Sequence, residues 1–364
     1  MKLNLMAVGF LTACVVLPAF GQTATSSLQP AAPVITFDAP GAGTSAGQGT
    51  FAEQNTLSGF VAGFYTDANG VNHGFVRDPR GRFTTIDGPG AGPFPGQGTV
   101  VYGITETGTV VGTFGNDSGD HGFVGPFNGK FATFDVPGAS GTLAAAINRA
   151  GTISGCYWDA NNTLHGFVRS PEGTITPFDP PGSVRTIADT LGIDPAGAIT
   201  SLYLDSNNTQ HGFLRSPDGT ITTFDAPGAG TGPGQGTAPA MISPEGTIPG
   251  LSIDANNVLH GFLRSRDGTI ITFDVPGAGT GPGQGTFANA TNLAGTTAGD
   301  FTDANGANHG YVRSYGGKIL FFDPPGAGTG PGQGTNSASI NAAGAVAGFY
   351  FDTNGVSHGF LRFP

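Results

Sequence analysis

The segment HGFLRSRDGTIITFDVPG, from His260 to Gly277, contains the two markers that decide the fold. It opens on His-Gly-aromatic, passes through a turn with Asp-Gly, and ends in Asp-x-Pro-Gly after a run of alternating apolar and polar residues. Alternation with a period of two is typical of a β-strand, because successive side chains point to opposite faces of a sheet. The segment therefore predicts a hairpin of two strands, from Leu259 to Arg264 and from Thr269 to Asp274.

Both markers recur at intervals of roughly 45 residues, which is the spacing of a structural repeat. All seven histidines of the chain occur in the first marker: His73, His121, His165, His211, His260, His309 and His358. The second marker contains one aspartate per copy: Asp38, Asp87, Asp135, Asp179, Asp225, Asp274 and Asp323. Because no histidine falls outside this frame, the chain is a sevenfold repeat.

Each copy also predicts two earlier strands. In the copy around His260 we expect strand A near Met241-Ile242 and strand B from Thr247 to Ile253, with turns after each. Helical periodicity is absent. Four short antiparallel strands in about 45 residues are typical of one propeller blade, so the sequence predicts an all-β, seven-bladed β-propeller of four-stranded antiparallel blades.

The two ends of the repeat array complement each other. Val34 to Asp38 resembles a strand D without A, B or C before it, and Ser357 to Arg362 resembles a strand C without D after it. We expect the N-terminal strand D to join the C-terminal blade, which closes one domain over residues 34–364 and removes free sheet edges. An open β-solenoid is the alternative architecture.

The N-terminal residues predict export. Lys2 is followed by an apolar run to Phe20 and by small residues, which indicates a signal peptide over residues 1–21 with cleavage before Gln22. Residues 22–33 are expected to form a flexible segment, and no transmembrane span is expected after removal of the signal. The chain is then secreted, extracellular or periplasmic. Cys14 lies in a lipobox-like context, so lipid anchoring through Cys14 remains an alternative.

Composition narrows the classes of partner. Charged residues make up 11% of the chain, the net charge is −11, and only three lysines occur. Nucleic acid is excluded as an expected partner, because phosphate binding needs a basic stripe. With Cys14 removed, Cys156 is the only cysteine, so no intramolecular disulfide is possible, and this thiol is expected to be buried. We expect a monomer.

The repeated His-Gly-Phe, as in His165-Gly166-Phe167 and His358-Gly359-Phe360, resembles the signature of the bacterial extracellular HAF-repeat proteins, named for a His-Ala-Phe tripeptide. The resemblance covers Val34 to Pro364. This chain departs from the name by having Gly in place of Ala. The resemblance implies an exported, propeller-like repeat protein and carries no catalytic residues over to this sequence.

The repeated histidines and aspartates are predicted to be structural. Sevenfold repetition sets equivalent groups far apart, whereas a metal or acid/base site needs its members within bonding distance, so no metal or cofactor is expected. We expect each His to link strand C to a turn or a neighbouring strand, and the Arg that follows it to pair with a repeat Asp. Turns such as Asp67–Gly70 and Asp303–Gly306 are read as hairpin turns, with calcium binding as the alternative.

Departures from the repeat indicate a ligand site. Five copies are preceded by a Gly-Pro-Gly-Gln type crossover, and the two crossovers after Gly138 and Gly182 are shorter. Trp158, the only tryptophan, lies in the copy between them, followed by Asp159 and Asn161. We expect crossovers and Asp-x-Asn turns to share one face of the ring, and these three residues to bind a ligand there, with Trp158 stacking on it. Packing of Trp158 between blades is the alternative.

These observations favour a secreted binding or surface-interaction module for a glycan, a peptide or a cell-envelope component, without catalysis. The alternative is a propeller-type lyase or hydrolase acting on an extracellular polymer, and a coat protein is a third option. The acid/base groups of such an enzyme would come from the non-repeating residues Glu53, Glu106, Glu172 and Glu245. Two of them would have to converge in one pocket.

Overall fold

The computed structural model describes residues 32–187 and 192–364. The predicted signal peptide over 1–21, with Cys14 and the cleavage position, lies outside the described residues, as does most of the segment 22–33. Residues 32–187 and 192–364 contain no helix that is long and apolar enough to cross a membrane.

The described residues form strands and turns, and no helix occurs among them. The strands are β1 Val34–Phe37, β2 Gly49–Asn55, β3 Val61–Thr66, β4 Asn72–Arg77, β5 Phe83–Ile86, β6 Gly98–Ile104, β7 Thr109–Asn116, β8 Gly119–Pro126, β9 Ala132–Phe134, β10 Gly141–Ile147, β11 Ile153–Trp158, β12 Leu164–Arg169, β13 Ile175–Phe178, β14 Arg185–Ile187, β15 Ile199–Leu204, β16 Gln210–Arg215, β17 Ile221–Phe224, β18 Gly236–Pro239, β19 Ile248–Ile253, β20 Leu259–Arg264, β21 Ile270–Phe273, β22 Gly285–Thr291, β23 Thr297–Thr302, β24 Asn308–Arg313, β25 Ile319–Phe322, β26 Gly334–Ile340, β27 Val346–Phe351 and β28 Ser357–Arg362.

The strands pair in antiparallel sets of four, which we call units and whose strands we call A to D in chain order. Unit 1 is β2–β5, unit 2 is β6–β9, unit 3 is β10–β13, unit 4 is β14–β17, unit 5 is β18–β21 and unit 6 is β22–β25. Each set follows chain order, as the hairpin signals predict. The repeat in the sequence is thus a repeat of one four-stranded sheet.

Unit 7 takes its fourth strand from the other end of the chain. Strands β26, β27 and β28 pair in order, and β1 then pairs antiparallel with β28, with Phe37 opposite Gly359 and Val34 opposite Arg362. The predicted strand D at residues 34–38 therefore pairs with the predicted strand C at 357–362. Strand β2 of unit 1 also lies beside β27 of unit 7.

Strand A of unit 5 begins earlier than predicted. The structure has β18 at Gly236–Pro239, whereas the sequence predicts a strand near Met241-Ile242. The cause is the glycine at the start of the strand: Gly236 lies so close to strand C of unit 4 that an added Cβ would be 2.0 Å from the carbonyl oxygen of Gln210. The Gly-Thr that ends the crossover motif belongs to the strand, because only glycine permits this approach.

The aromatic residue of His-Gly-aromatic forms the core of each unit. Every one of these side chains is completely buried: Phe75, Phe123, Phe167, Phe213, Phe262, Tyr311 and Phe360. The preceding glycine makes room for a second ring, since a Cβ at Gly166 would lie 2.7 Å from the ring of Phe178 on strand D. Alanine at this position would require the ring to move, which accounts for glycine in this chain.

The ring on strand D is also covered by the next unit. The guanidinium of Arg215 in unit 4 lies 5.2 Å from the ring centre of Phe178 in unit 3, a cation–π contact. Equivalent pairs at 4.7–5.2 Å are Arg77–Phe37, Arg169–Phe134, Arg264–Phe224, Arg313–Phe273 and Arg362–Phe322. The expectation that these arginines pair with a repeat aspartate is therefore wrong: they lie over a neighbouring unit's aromatic ring.

One junction lacks the arginine–phenylalanine contact, and there both residues of the pair are replaced together. Unit 2 has Gly125 where the other units have Arg, and the preceding unit has Ile86 where the others have Phe. Both partners are absent at the same junction. A guanidinium has no ring to cover there, and an isoleucine needs no cation above it.

The hydroxyl of a threonine at the start of strand A either accepts or donates a hydrogen bond, depending on the residue that follows the repeat aspartate. Thr50 Oγ1 accepts a hydrogen bond from the amide of Ala39 at 2.9 Å, and four other junctions repeat this contact. In the two remaining junctions the residue is Pro180 or Pro324, which has no N–H. Thr186 and Thr335 there donate to the carboxylates of Asp179 and Asp323 instead. The same hydroxyl can therefore form a hydrogen bond whether the aspartate is followed by a residue with an N–H or by proline.

We predict that deleting Val34 to Asp38 destabilises the chain strongly. The deletion leaves β28 as a free edge and removes Phe37 from beneath Arg77. Differential scanning calorimetry should show a melting temperature lower by roughly 10 °C or more, with aggregation on heating. Deleting residues 22–30 is the matched control, and equal melting temperatures for the two truncations would contradict the role of β1.

We also predict measurable coupling between Arg264 and Phe224, whose guanidinium and ring lie 4.8 Å apart. In a double-mutant cycle with Arg264→Gln and Phe224→Leu, urea denaturation should give a coupling free energy of about 0.5–2 kcal/mol. Arg264→Gln combined with Phe178→Leu serves as the control, since Phe178 is covered by Arg215. Equal coupling in both cycles would show that the contact has no pairwise energy.

Candidate functional site

Six of the seven repeat histidines lie between two carboxylates on the surface of their unit, and the seventh, His121, has Ser118 Oγ 2.8 Å from its Nε2 in place of the second carboxylate. His73 Nδ1 is 2.8 Å from Asp87 at the end of strand D, and its Nε2 is 3.8 Å from Asp67 in the turn between strands B and C. Its ring stacks on Tyr65 with centroids 5.0 Å apart. The Nδ1 contact, at 2.8–3.0 Å, recurs at His121–Asp135, His165–Asp179, His211–Asp225, His260–Asp274, His309–Asp323 and His358–Asp38.

This repeated contact links three segments of a unit rather than forming one special site. At His309, the hydrogen bond to Asp323 raises the pKa of the imidazole. In every unit except unit 2, which has Asn116 there, the B–C turn opens with an Asp whose side chain is used within that turn. Asp67 Oδ1, for example, accepts from the amides of Asn69 and Val71. The carboxylates that could suggest calcium are thus engaged with backbone N–H groups.

Each long crossover joins two units. The crossover before unit 5 lies on the B–C turn of unit 4: Gly234 N donates to the Asn208 carbonyl at 2.9 Å, and Gln210 N donates to the Gln235 carbonyl at 2.8 Å. The Gln235 side chain then donates to the Ala255 carbonyl in unit 5 at 3.2 Å. Crossovers and B–C turns are therefore neighbours on one face, which we call the crossover face.

The two short crossovers, which enter units 3 and 4, lack the segment that makes these hydrogen bonds to the B–C turn. Val184 N donates to Leu204 O just as Gly230 N donates to Ile253 O, and Arg185 then opens strand A where unit 5 has Gly236. The residues that correspond to Thr231–Gln235 are missing. The parallel pairings between strand C of one unit and strand A of the next occur at five junctions of the described chain, and not at those entering units 3 and 4.

Trp158 ends strand B of unit 3, between these two junctions, and is half-buried. Its ring packs beside the buried cluster of Leu143, Cys156 and Leu164. The indole passes over Gly141, where an added Cβ would lie 3.2 Å from the ring and 3.7 Å from Cβ of Asp120. The tryptophan is thus partly packed between units and partly accessible.

The other two predicted ligand residues lie in the turn that follows. Asp159 Oδ1 accepts from the amides of Asn161 and Thr163 at 2.9 and 2.7 Å, and the amide of Thr163 lowers the pKa of Asp159 most. Asn161 Nδ2 lies 3.3 Å from the second oxygen of Asp159. This turn recurs in other units, so neither residue distinguishes unit 3. Their predicted part in ligand binding stays a prediction.

The four non-repeating glutamates lie in different settings. Glu53 is the extra residue of a β-bulge in strand A of unit 1, and burial raises its pKa to about 7. Glu106 accepts hydrogen bonds from the amides of Leu57 and Ser58 and so joins two turns of neighbouring units. Glu172 and Glu245 are exposed in hairpin turns. No contact between any two of them occurs in the structure as described.

Sequence reasoning missed one acidic group, Asp300 on strand B of unit 6. Burial raises its pKa to about 7, although Asn289 Nδ2 donates to it at 2.5 Å and the Ser337 amide at 3.3 Å. The equivalent residue is Phe64 in unit 1 and Leu251 in unit 5. Alignment of the repeats would have shown an acid at a position that Phe, Thr, Cys or Leu occupies in the other units.

Two cavities accompany these features. One of about 150 Å³ is lined by ends of strand A from several units, including Asn55, Thr291 and Ile340. The other, of about 400 Å³, lies on the crossover face beside Pro93, Gln97 and Asp117. Neither cavity is lined by Trp158 or Glu53.

No family model and no curated protein matches the chain. Solved structures do. Streptogramin B lyase aligns with a TM-score of 0.58 at 14% identity, covering 91% of this chain and 98% of that one. The β-propeller domain of the Trilobed protease from Pyrococcus furiosus gives 0.57 at 10%, covering 88% and 94%. The BP39L lectin from Burkholderia pseudomallei gives 0.54 at 13%, covering 86% and 94%. At these identities the likeness is one of fold, and the chain has an all-β, propeller-like fold.

We predict that Glu53 makes stability depend on pH. Its pKa is raised from 4.5 to about 7 in the folded chain, so its contribution is fully present below pH 4.5 and is lost as the pH rises through 7. Urea denaturation should show Glu53→Gln gaining stability relative to the parent between pH 5 and pH 8, by at most about 3 kcal/mol. The control is Glu245→Gln in an exposed turn, and the same pH response in both variants would contradict the burial of Glu53.

Proposed function

We propose that this chain is a non-enzymatic, exported binding module whose ligand site lies on the crossover face of unit 3. The observation that carries the proposal is the accessible side of Trp158 between two junctions that lack the long crossover. An indole offers a flat apolar surface with a polar N–H edge, which suits the face of a sugar ring or an extended peptide. A glycan, a peptide or a cell-envelope component is the proposed ligand class.

The proposed scaffold is a closed seven-bladed propeller in which each unit is one blade. Three contacts between the ends support it: β1 pairs with β28, Arg77 lies over Phe37, and Asn55 Nδ2 donates to the Ala345 carbonyl. A closed ring holds its face in one geometry without free edges. Such rigidity lets a shallow site on loops and strand ends keep its shape.

Export and family membership are part of the same proposal. The apolar leader after Lys2 supports secretion, and the repeated His-Gly-Phe supports membership of the HAF-repeat proteins. A binding role agrees with the lectin among the structural neighbours, although the likeness covers the fold alone. A low charged fraction of 11% is compatible with a protein that contacts a polymer through rings and backbone groups.

Glu53 favours a second candidate, a lyase or hydrolase of an extracellular polymer. A carboxyl group with a pKa near 7 is suited to proton transfer at neutral pH. The candidate ranks second because acid/base chemistry of this kind needs another positioned group. None of Glu106, Glu172 and Glu245 contacts Glu53 in the described chain.

The test uses the single tryptophan as its own reporter. Bacterial cell-wall glycans, secreted polysaccharides and peptide libraries are screened by intrinsic fluorescence, and the best binder is measured by calorimetry. We predict that Trp158→Ala weakens binding at least tenfold, because an aromatic stacking contact contributes on the order of 1–2 kcal/mol. The melting temperature should change little.

Phe351→Ala is the matched control, since Phe351 occupies the corresponding strand position in unit 7, where the next crossover is long. Its binding should equal that of the parent. A ligand that binds Trp158→Ala as tightly as the parent would remove this site and with it the proposal.

A further inference from the structure

We infer that the cavity of about 400 Å³ in unit 2 binds one residue of an uncharged glycan, and that the exposed ring of Phe94 beside it stacks on the next sugar. The inference rests on the proposed binding role, names carbohydrate as the ligand class and adds a site distinct from the surface of Trp158. Its basis is that both segments around the cavity depart from the repeat in unit 2.

The crossover that enters unit 2 has an aromatic residue at a position where the other long crossovers have a small one. Phe94 is equivalent to Ser45, Gly232, Gly281 and Gly330. The backbone is the same in all of them, since the amide of Phe94 donates to Gln97 Oε1 at 3.4 Å as the amide of Gly232 donates to Gln235 Oε1 at 2.9 Å. The crossover therefore does not require the ring, whose residue is 57% exposed.

The B–C turn of unit 2 is one residue shorter than that of unit 1. Four residues join the paired Gly115 and Asp120, whereas five residues join the equivalent pair Thr66 and Asn72. The cavity lies between this shorter turn and the crossover. Its volume is within the range of about 300–1,000 Å³ that small-molecule sites occupy.

The wall of the cavity includes a carboxylate that the crossover holds in place. Gln97 Nε2 donates to Oδ1 of Asp117 at 2.9 Å, and Oδ2 of Asp117 has no hydrogen-bond partner within the described chain. At the other long crossovers the glutamine donates to a backbone carbonyl of the turn, as Gln235 donates to Ala255. An anchored carboxylate with one free oxygen is a strong acceptor for the hydroxyl groups of a sugar.

The charge of the cavity favours an uncharged ligand. Asp117 is the one charged residue among the eight that line it, and no Lys, Arg or His is among them. Asp120, which follows on strand C, is also exposed. The carboxylate of Asp117 would repel phosphate, sulfate and uronate groups. A neutral hexose combines the hydroxyl groups that this carboxylate accepts with an apolar C–H face that suits an aromatic ring.

The same turn of unit 2 has the cavity on one side and Trp158 on the other. The crossover lies towards unit 1, since Gly96 N donates to the Gly70 carbonyl at 2.9 Å. Trp158 lies towards unit 3, because a Cβ at Gly141 would be 3.2 Å from the Trp158 ring and 3.7 Å from Cβ of Asp120. A linear glycan that crosses this turn would meet both sites.

The test measures binding of cellohexaose, maltohexaose, mannohexaose and laminarihexaose to the full chain, by titration calorimetry and in ¹⁵N spectra. We expect one of these sugars to bind and to shift the amide resonances of Asp117 and Ser118. Phe94→Ala should weaken this binding about tenfold, because a stacking contact is lost. Asp117→Ala should weaken it about tenfold as well, because the charged acceptor is lost. Hexagalacturonate, which carries carboxylates, should not bind.

Tyr315→Ala is the matched control for the aromatic residue, since Tyr315 is 85% exposed in the C–D turn of unit 6. Its affinity should equal that of the parent. A turn graft that replaces residues 116–119 by Asp-Ala-Asn-Gly-Val, the sequence of residues 67–71, should abolish binding in the cavity. Phe94 and Asp117 are both exposed, so the melting temperatures of their variants should match the parent.

The variants separate this site from the proposed site of unit 3. If a sugar binds Phe94→Ala and Asp117→Ala with the parent affinity but binds Trp158→Ala more weakly, the cavity site is wrong and the proposed function stands. If binding depends on Phe94 and Asp117 but not on Trp158, the cavity site stands and the site of unit 3 is wrong. Unchanged resonances of Asp117 and Ser118 with all of the uncharged sugars, or binding of hexagalacturonate at these residues, would overturn the cavity site.

Discussion

The aromatic ring on strand D is the contact on which the repeat depends. In six of the junctions, this ring lies against the glycine of His-Gly-aromatic in its own sheet and beneath the arginine of the next sheet. One side chain therefore sets the spacing within a unit and between units. It explains why Gly and Arg stand at fixed offsets around the motif, and why the junction with Ile86 has Gly125 in place of the arginine.

Much of this architecture could be predicted because periodicity and turn residues act locally. Leu259 to Arg264 and Ser357 to Arg362 form strands with the expected bounds, and the strand at residue 34 pairs with the last strand as expected. The start of strand A was wrong in unit 5, since the glycine of Gly236 reads as a loop residue. Its reason, a close approach to strand C of another unit, is visible only in three dimensions.

The position of the candidate site could be predicted from the sequence, but the hydrogen bonding and the pKa values of its residues could not. The sequence shows that Trp158 lies between two shortened crossovers, and the structure leaves the side chain half-buried there. The sequence does not show that the carboxylate of Asp159 accepts hydrogen bonds within its own turn, because an Asp before Asn is as suitable for a ligand site as for a turn. Nor does a single copy show that Asp300 is unusual. That becomes clear only when its position is compared across the units.

The contact between His358 and Asp38 spans 320 residues of the chain. In an open repeat array each unit needs only its neighbours, and folding can proceed unit by unit behind the ribosome or the export channel. Here β1 has no partner strand until β28, which follows it in the chain by more than 300 residues, has formed. Joining β1 to β28 closes a loop that contains nearly the whole described chain, and the conformational entropy lost on closure is therefore lost in one late event. We expect folding to end in a slow step whose rate depends on the meeting of these two strands and not on the formation of any single sheet.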